Sequence, residues 1–225
     1  MTPYRSAVLS LFCVFYSFIV DAQKTSFAKT NFAKADSIAE RYASHSLYDI
    51  KGLADKLTGS LRTEPEKFRA IYKWVCSNIE VDYRLVEQNR RKRLKLSGDQ
   101  LKKWNEQFNR DVFATLLKDR RTVCTGYAYL IRELAYHAGL QCEIIYGHAR
   151  PGGVTSCEGR PVNHSWNKIY LNGKPYYCDP TWSSGYFCVQ TNTFVHRYDD
   201  RYFLADAEFF LSEHCHERGS RLCSF

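Results

Sequence analysis

Apolar residues recur at spacings of three and four across residues 27–61, where Phe32, Ala35, Ile38, Ala39 and Tyr42 form one stripe. A second helical segment is expected around residues 47–57, ended by Gly59. Thr63-Glu64-Pro65-Glu66 reads as a capping box in which Thr63 accepts from the Glu66 backbone and Glu66 reaches back, with Pro tolerated in the first turn. The helix it opens buries Phe68, Ile71, Tyr72 and Val75. Another helix is expected over 109–118, followed by a basic loop at 119–122, and Trp104 and Phe108, four apart, mark one helical face that packs down. Residues 124–139 carry Tyr127, Leu130, Ile131, Leu134 and Ala138 on one stripe, with Gly139 as the stop.

Beyond Gly139 the pattern changes. Residues 142–149 read as a strand, a polar Gly-rich loop covers 150–159, and strands at 164–171 and 174–179 flank Asn172-Gly173, the strongest short hairpin signal. Helices first and an antiparallel sheet after predict an α+β fold. A two-residue turn at Asn172-Gly173 sets Leu171 opposite Lys174 and Asp179 opposite Trp166. His164 then shares a face with Trp166 and becomes a diagonal neighbour of Asp179, within reach of an Asp–His hydrogen bond.

The chain has 225 residues, 44% hydrophobic and 25% charged, which excludes a disordered or low-complexity protein and suits one core. The aromatic set of 16 Tyr, 14 Phe and 4 Trp against one Met predicts a core of rings. Arg5, the apolar run 7–20 and the small residues before Gln23 read as a signal peptide cleaved after Ala22. The run falls short of the ~20 residues that span a bilayer. Secretion or a periplasmic location follows as the expectation, with no membrane span after cleavage. Of nine Cys, eight remain after Cys13, at positions 76, 124, 142, 157, 178, 188, 215 and 223, with no zinc-type spacing. Their connectivity is not deducible from spacing. If one is a reactive thiol, an odd number is left.

Charge concentrates between Arg84 and Arg121, where twelve basic residues stand against five acidic ones in a chain of formal charge +8. The functional reading is contact with a polyanion or acidic surface. The plainer reading, a solvated helix and loop, is preferred. An exported protein also makes nucleic acid an improbable target.

The candidate chemistry rests on Cys124, His164 and Asp179. A thiol at a helix start feels the positive end of the dipole and the unpaired first-turn N–H groups, both of which favour thiolate, and Arg120 and Arg121 nearby push the same way. A thiolate, a His to exchange protons with it and a carboxylate to orient that His make an acyl-transfer triad. The oxyanion of such a reaction needs the Cys124 N–H and a further donor, for which Trp104, Tyr72 and Tyr83 are open alternatives. No cofactor or metal is expected. His214, Cys215 and His216 have poor metal-ligand spacing and read as a surface tail, and Asp199-Asp200 is too small for calcium.

Arg121-Thr122-Val123-Cys124-Thr125-Gly126-Tyr127-Ala128, then His164-Ser165-Trp166-Asn167, then Asp179-Pro180-Thr181-Trp182 resemble, in order, the three motifs of the transglutaminase-like superfamily. The stretch from Glu66 to Val75 resembles its upstream helix, and Tyr202-Phe203-Leu204 its later segment. The likeness covers roughly residues 53–214 and is strongest to the kyphoscoliosis-peptidase-like branch and its exported bacterial relatives. It implies a papain-like fold with a nucleophile-bearing helix on an antiparallel sheet. Cys124 would be nucleophile, His164 general base and acid, and Asp179 the orienting carboxylate. The organisation expected is a signal peptide at 1–22, a helical extension at 23–62, a transglutaminase-like domain at 63–214 with a basic helical insertion at about 84–121, and a tail at 215–225. The function expected is thiol-dependent acyl transfer on protein or peptide carboxamide or amide groups, by crosslinking, deamidation or hydrolysis. The rival is a catalytically silent fold that binds protein or the cell surface.

Overall fold

The structure, a computed structural model, describes residues 27, 30–153 and 162–216. The leader read at 1–22, residues 154–159 of the Gly-rich loop and residues 217–225 of the tail lie outside the described residues. Among those described, no helix is long and apolar enough to cross a membrane.

Helices α1 (Ala33–Arg41) and α2 (Ile50–Thr58) precede α3 (Glu64–Asn78), which opens on the capping box: Thr63 and Glu66 exchange hydrogen bonds, and Pro65 sits in the first turn. Strand β1 (Glu80–Val81) leads to α4 (Tyr83–Arg93), capped by the buried Asp82 and burying no residue of its own, and to α5 (Gly98–Asp119). Strand β2 (Arg121–Thr122) then runs into α6 (Cys124–His137). The strands β3 (Cys142–Ala149), β4 (His164–Leu171) and β5 (Lys174–Cys178) follow, then α7 (Pro180–Ser184), the hairpin β6 (Gly185–Cys188) and β7 (Thr193–His196), a 3-10 turn at Asp200–Tyr202, α8 (Ala207–Glu213) and β8 (His214–Cys215). The fold is α+β, with an antiparallel sheet ordered β5-β4-β3-β8.

The β4–β5 register pairs Leu171 with Lys174 and Asn167 with Cys178, as a two-residue turn requires, with Asn172 and Gly173 at φ 51° and 75°. The sheet is covered on both faces. Toward α6, Ile169 and Leu171 join the main core, and Asn167 donates through Nδ2 to Ala128 O at 2.9 Å. On the other face Trp166 packs with Tyr202, Ala205 and Phe210. Residues of α1 and α2 lie in the same core as α3 and α6, with Leu53 and Leu57 wholly buried.

Three expectations are corrected. The helix expected over 109–118 starts at Gly98, with polar, largely exposed first turns that lack the stripe carried further on by Trp104, Phe108, Val112 and Leu116. The expected loop at 119–122 is instead a left-handed cap at Arg120 (φ 54°) followed by β2, which pairs in parallel with β1. The region around His214 is not a surface tail: His214 is wholly buried, and β8 pairs with His148 and Ala149 of β3. Cys215 is disulfide-bonded.

Candidate active site

Cys124 is the first residue of α6, and Val123 before it offers no side-chain cap, so the first-turn N–H groups stay directed at the thiol's surroundings. Gly126 lets this turn form against β2. A Cβ there would fall 1.8 Å from Thr122 Oγ1, and Thr122 is buried. Cys124 is a free, half-buried thiol. His164, the first residue of β4, stands beside it, close enough for each to act on the other's charge. The buried Ser165 hydroxyl beside them has no hydrogen-bond partner.

Asp179 ends the β5 side of the hairpin and caps α7. Its N–H donates to Tyr202 O at 3.0 Å, and Oδ1 accepts from the N–H groups of Thr181 (2.9 Å) and Trp182 (3.1 Å). The cap fixes the carboxylate so that Oδ2 faces His164 Nε2 at 2.6 Å, which leaves Nδ1 for Cys124. The Trp182 ring stacks on His164 with centroids 5.3 Å apart and an interplanar angle of 28°. The three residues picked from sequence are thus neighbours, two from the sheet face that carries Trp166 and one from the start of α6.

The charges reinforce one another. Burial pushes the Cys124 thiol up, but the hydrogen bond and charge of His164, aided by Ser165, bring it down to about 7. Burial works against the His164 imidazolium, but the Asp179 charge and hydrogen bond, together with Cys124, hold it well above the usual histidine range. Burial would raise the Asp179 carboxyl, yet His164 and then His214 hold it well below the usual carboxylate range. This is the pattern of a thiolate–imidazolium pair. The neighbouring arginines have other partners: Arg120 donates to the Ala43 and His45 carbonyls, and Arg121 lies 3.9 Å from both Glu80 and Asp82.

None of the three aromatic oxyanion candidates has its polar group aimed at the thiol. Tyr72 bonds Ser183 and donates to Tyr202 O beneath α7, Trp104 donates to Asn89, and Tyr83 stacks on Phe187 while its hydroxyl faces Glu87. The donors at hand are the N–H groups that open α6. Sequence reasoning missed His214, whose Nε2 lies 3.0 Å from Asp179 Oδ2. Its only sequence signal is a histidine directly after an amphipathic helix.

His164, Asp179 and His214 each offer a ligand atom, all within 4.8 Å of one another. The 2.6 Å between His164 Nε2 and Asp179 Oδ2 is a hydrogen-bond separation. Neighbouring ligands on a tetrahedral zinc stand about 3.3 Å apart, so these residues do not fit one.

The profile of the Transglutaminase-like superfamily matches residues 51–180. Kyphoscoliosis peptidase of Homo sapiens is 28% identical over 185 residues, covering 81% of this chain and 25% of that protein. Hillarin of Drosophila melanogaster is 22% identical over 196 residues, covering 81% and 22%. The chain therefore spans about a quarter of the length of the curated relatives it matches. Among solved structures, a TGase crystal structure aligns at TM-score 0.42 and 15% identity over 84% of this chain and 43% of its own. With more than half of its residues matched by the family's profile, the chain belongs to the transglutaminase-like superfamily.

Proposed function

We propose that this protein is an exported thiol acyl-transfer enzyme acting on protein or peptide carboxamide or amide groups, with Cys124 as nucleophile, His164 as proton carrier and Asp179 as its orienting carboxylate. One observation carries the reading: a half-buried thiol at a helix start has its proton affinity lowered by a neighbouring histidine whose Nε2 lies 2.6 Å from a wholly buried carboxylate. The Cys124 thiolate adds to the carbonyl carbon, and the oxyanion takes hydrogen bonds from the N–H groups that open α6. The C–N bond then breaks as the His164 imidazolium gives its proton to the departing amine or ammonia, leaving a thioester. His164, now neutral, removes a proton from the acceptor, which attacks the thioester and releases the thiolate. An amine acceptor gives a crosslink, whereas water gives hydrolysis or deamidation. The peptidase named among the relatives supports water.

Export is supported by the leader-like pattern of Arg5, residues 7–20 and Ala22, and by the disulfide at Cys215, a bond that persists in oxidising compartments. The basic stretch 84–121 lies in α4, α5 and β2, and α4 buries nothing, which suits contact with an acidic surface near the substrate.

The test is the rate of iodoacetamide labelling at Cys124 from pH 4 to 9, located by peptide mass, beside His164→Ala. Labelling is expected to rise through pH about 7, below the free-thiol value of ~8.5, and to slow in the variant. A thiol that labels only as a free cysteine does, or not at all, overturns the enzyme reading and leaves a binding module.

A further inference from the structure

Ser165 is buried, at 1% exposure, and its hydroxyl has no hydrogen-bond partner. A buried donor left unpaired is a standing cost to a fold, so what lies beside it matters. Its place follows from the strand. Asn167, two residues on and therefore on the same face of β4, donates to Ala128 O of α6 at 2.9 Å. Further along that face, Ile169 and Leu171 lie in one core with Leu130, Ile131 and Leu134 of α6. Strand β4 therefore runs beside α6 in the same direction. One step back from Asn167 is Ser165, and one helical turn back from Ala128, on the same helix face, is Cys124. Two strand residues advance about 6.7 Å and one turn about 5.4 Å, so the step brings Ser165 level with the thiol.

His164 and Ser165 leave β4 on opposite faces, and the sulfur stands where the strand begins, so the imidazole reaches it around the strand end and the hydroxyl from the α6 side. Both lower the proton affinity of the thiol. The other charged groups nearby are placed differently. Asp179, ahead of α7, faces His164 and His214, and His148 of β3 is in register with Cys215 of β8. Before α6, Arg120 donates to main-chain carbonyls, while Arg121 sits between Glu80 and Asp82 of the β1 side. The Ser165 hydroxyl is sealed from solvent, which puts a substrate oxyanion outside its reach. A neutral thiol is a weak acceptor, whereas a thiolate takes a strong, charge-assisted hydrogen bond.

We propose that the Ser165 hydroxyl is a further catalytic group, a buried hydrogen-bond donor that the fold holds in reserve for the Cys124 thiolate. This rests on the acyl-transfer reading of the same site. No proton leaves Ser165. The hydroxyl donates while the sulfur carries charge, and its bond weakens once the sulfur joins the carbonyl carbon and the charge passes to the oxyanion. The donor makes the thiolate more abundant and each thiolate less basic. Without it the thiolate is rarer but intrinsically more nucleophilic.

Two measurements on the full chain, wild type beside Ser165→Ala, test it. The inflection of iodoacetamide labelling at Cys124 should move upward by about one pH unit in the variant, the scale of one charge-assisted hydrogen bond. Labelling at pH 6 then slows about tenfold, while at pH 9 it equals or exceeds the wild-type rate. An inflection that stays in place, or a slowing that is the same at every pH, assigns Ser165 to packing and overturns the proposal. The second measurement is thermal unfolding. At pH 5.5, where the thiol is protonated, removing an unpaired hydroxyl should leave the melting temperature unchanged or raise it. As pH rises through about 7 the wild type gains on the variant, by about 2 °C at pH 8, because the lowered thiol adds stability above its folded value. A variant that is less stable at pH 5.5, or does not fold, shows that the hydroxyl has a structural partner and overturns the proposal. A wild-type inflection at the free-thiol value of ~8.5 overturns the acyl-transfer reading and this inference with it, whereas a depressed one that ignores Ser165→Ala overturns this inference alone.

Discussion

Asp179 uses both carboxylate oxygens: it caps α7 through Oδ1, and through Oδ2 it faces His164 and His214. Asp179→Asn keeps the shape but replaces one accepting oxygen with an NH2 donor, so either the α7 N–H groups or the two histidines lose their acceptor, and it leaves the buried His164 imidazolium without a counter-charge. The expected loss is about 3–5 kcal/mol of unfolding free energy at pH 7, with Cys124 labelling at pH 6 slowed at least tenfold. The sign with pH follows from the depressed carboxyl. Its stabilisation is present above the unfolded value of ~3.9 and is lost as pH falls from there toward the folded value. The difference in melting temperature between wild type and variant should therefore shrink below about pH 4; a difference that holds constant there would show that the carboxylate's charge is not the stabilising feature. The pairing of Asp179 with His164 was legible because Asn172-Gly173 fixes a local register. The second partner was not, because His214 reaches Asp179 across 35 residues through an arrangement no period encodes.

At the scale of elements, β8 has only two residues, yet it delivers His214 to the site and closes the sheet beside β3. Gly147 makes room for this. A Cβ there would stand 2.3 Å from Cys215 O and 2.4 Å from the Trp166 ring, so neither β8 nor Trp166 could stay in place. Gly147→Ala is expected to cost about 1–3 kcal/mol by overpacking. It should also change the near-ultraviolet circular dichroism of the tryptophans and slow Cys124 labelling severalfold. A variant with unchanged spectrum and unchanged labelling would mean that β8 is dispensable to the site. Elements that depend on neighbours in sequence were readable: the capping box before α3, the Gly-stopped α6 and the β4–β5 hairpin. The β1–β2 ladder was not, since Glu80 and Arg121 meet only after two intervening helices have folded. The start of α5 was hidden for another reason, because its first turns are polar and solvent-facing and show no apolar contrast.

Across the whole molecule, Arg69 adds ion pairs to the shared core that joins the first helix to the site. Arg69 of α3 holds Asp36 of α1 with Nε at 2.6 Å and Nη2 at 2.9 Å, and through Nη1 it holds Asp200. Its guanidinium lies over the rings of Phe32, Tyr198 and Phe203. Asp200 opens the 3-10 turn whose last residue, Tyr202, accepts the Asp179 N–H. Helix α1 is therefore part of the same cooperative unit as the site, although the helical stretch before Thr63 reads from sequence as an extension. Sequence shows that α1 is amphipathic. Its partner was hidden because Asp36 and Arg69 carry no joint motif. Asp36→Ala should remove a bidentate, partly buried pair and lower the unfolding free energy by about 1.5–3 kcal/mol. Thermal unfolding followed both by far-ultraviolet circular dichroism and by Cys124 labelling should keep one shared transition, shifted downward together. If α1 were an independent appendage, the labelling transition would stay at its wild-type temperature while only part of the helical signal melted early. That outcome would separate the first helices from the unit that holds Asp179.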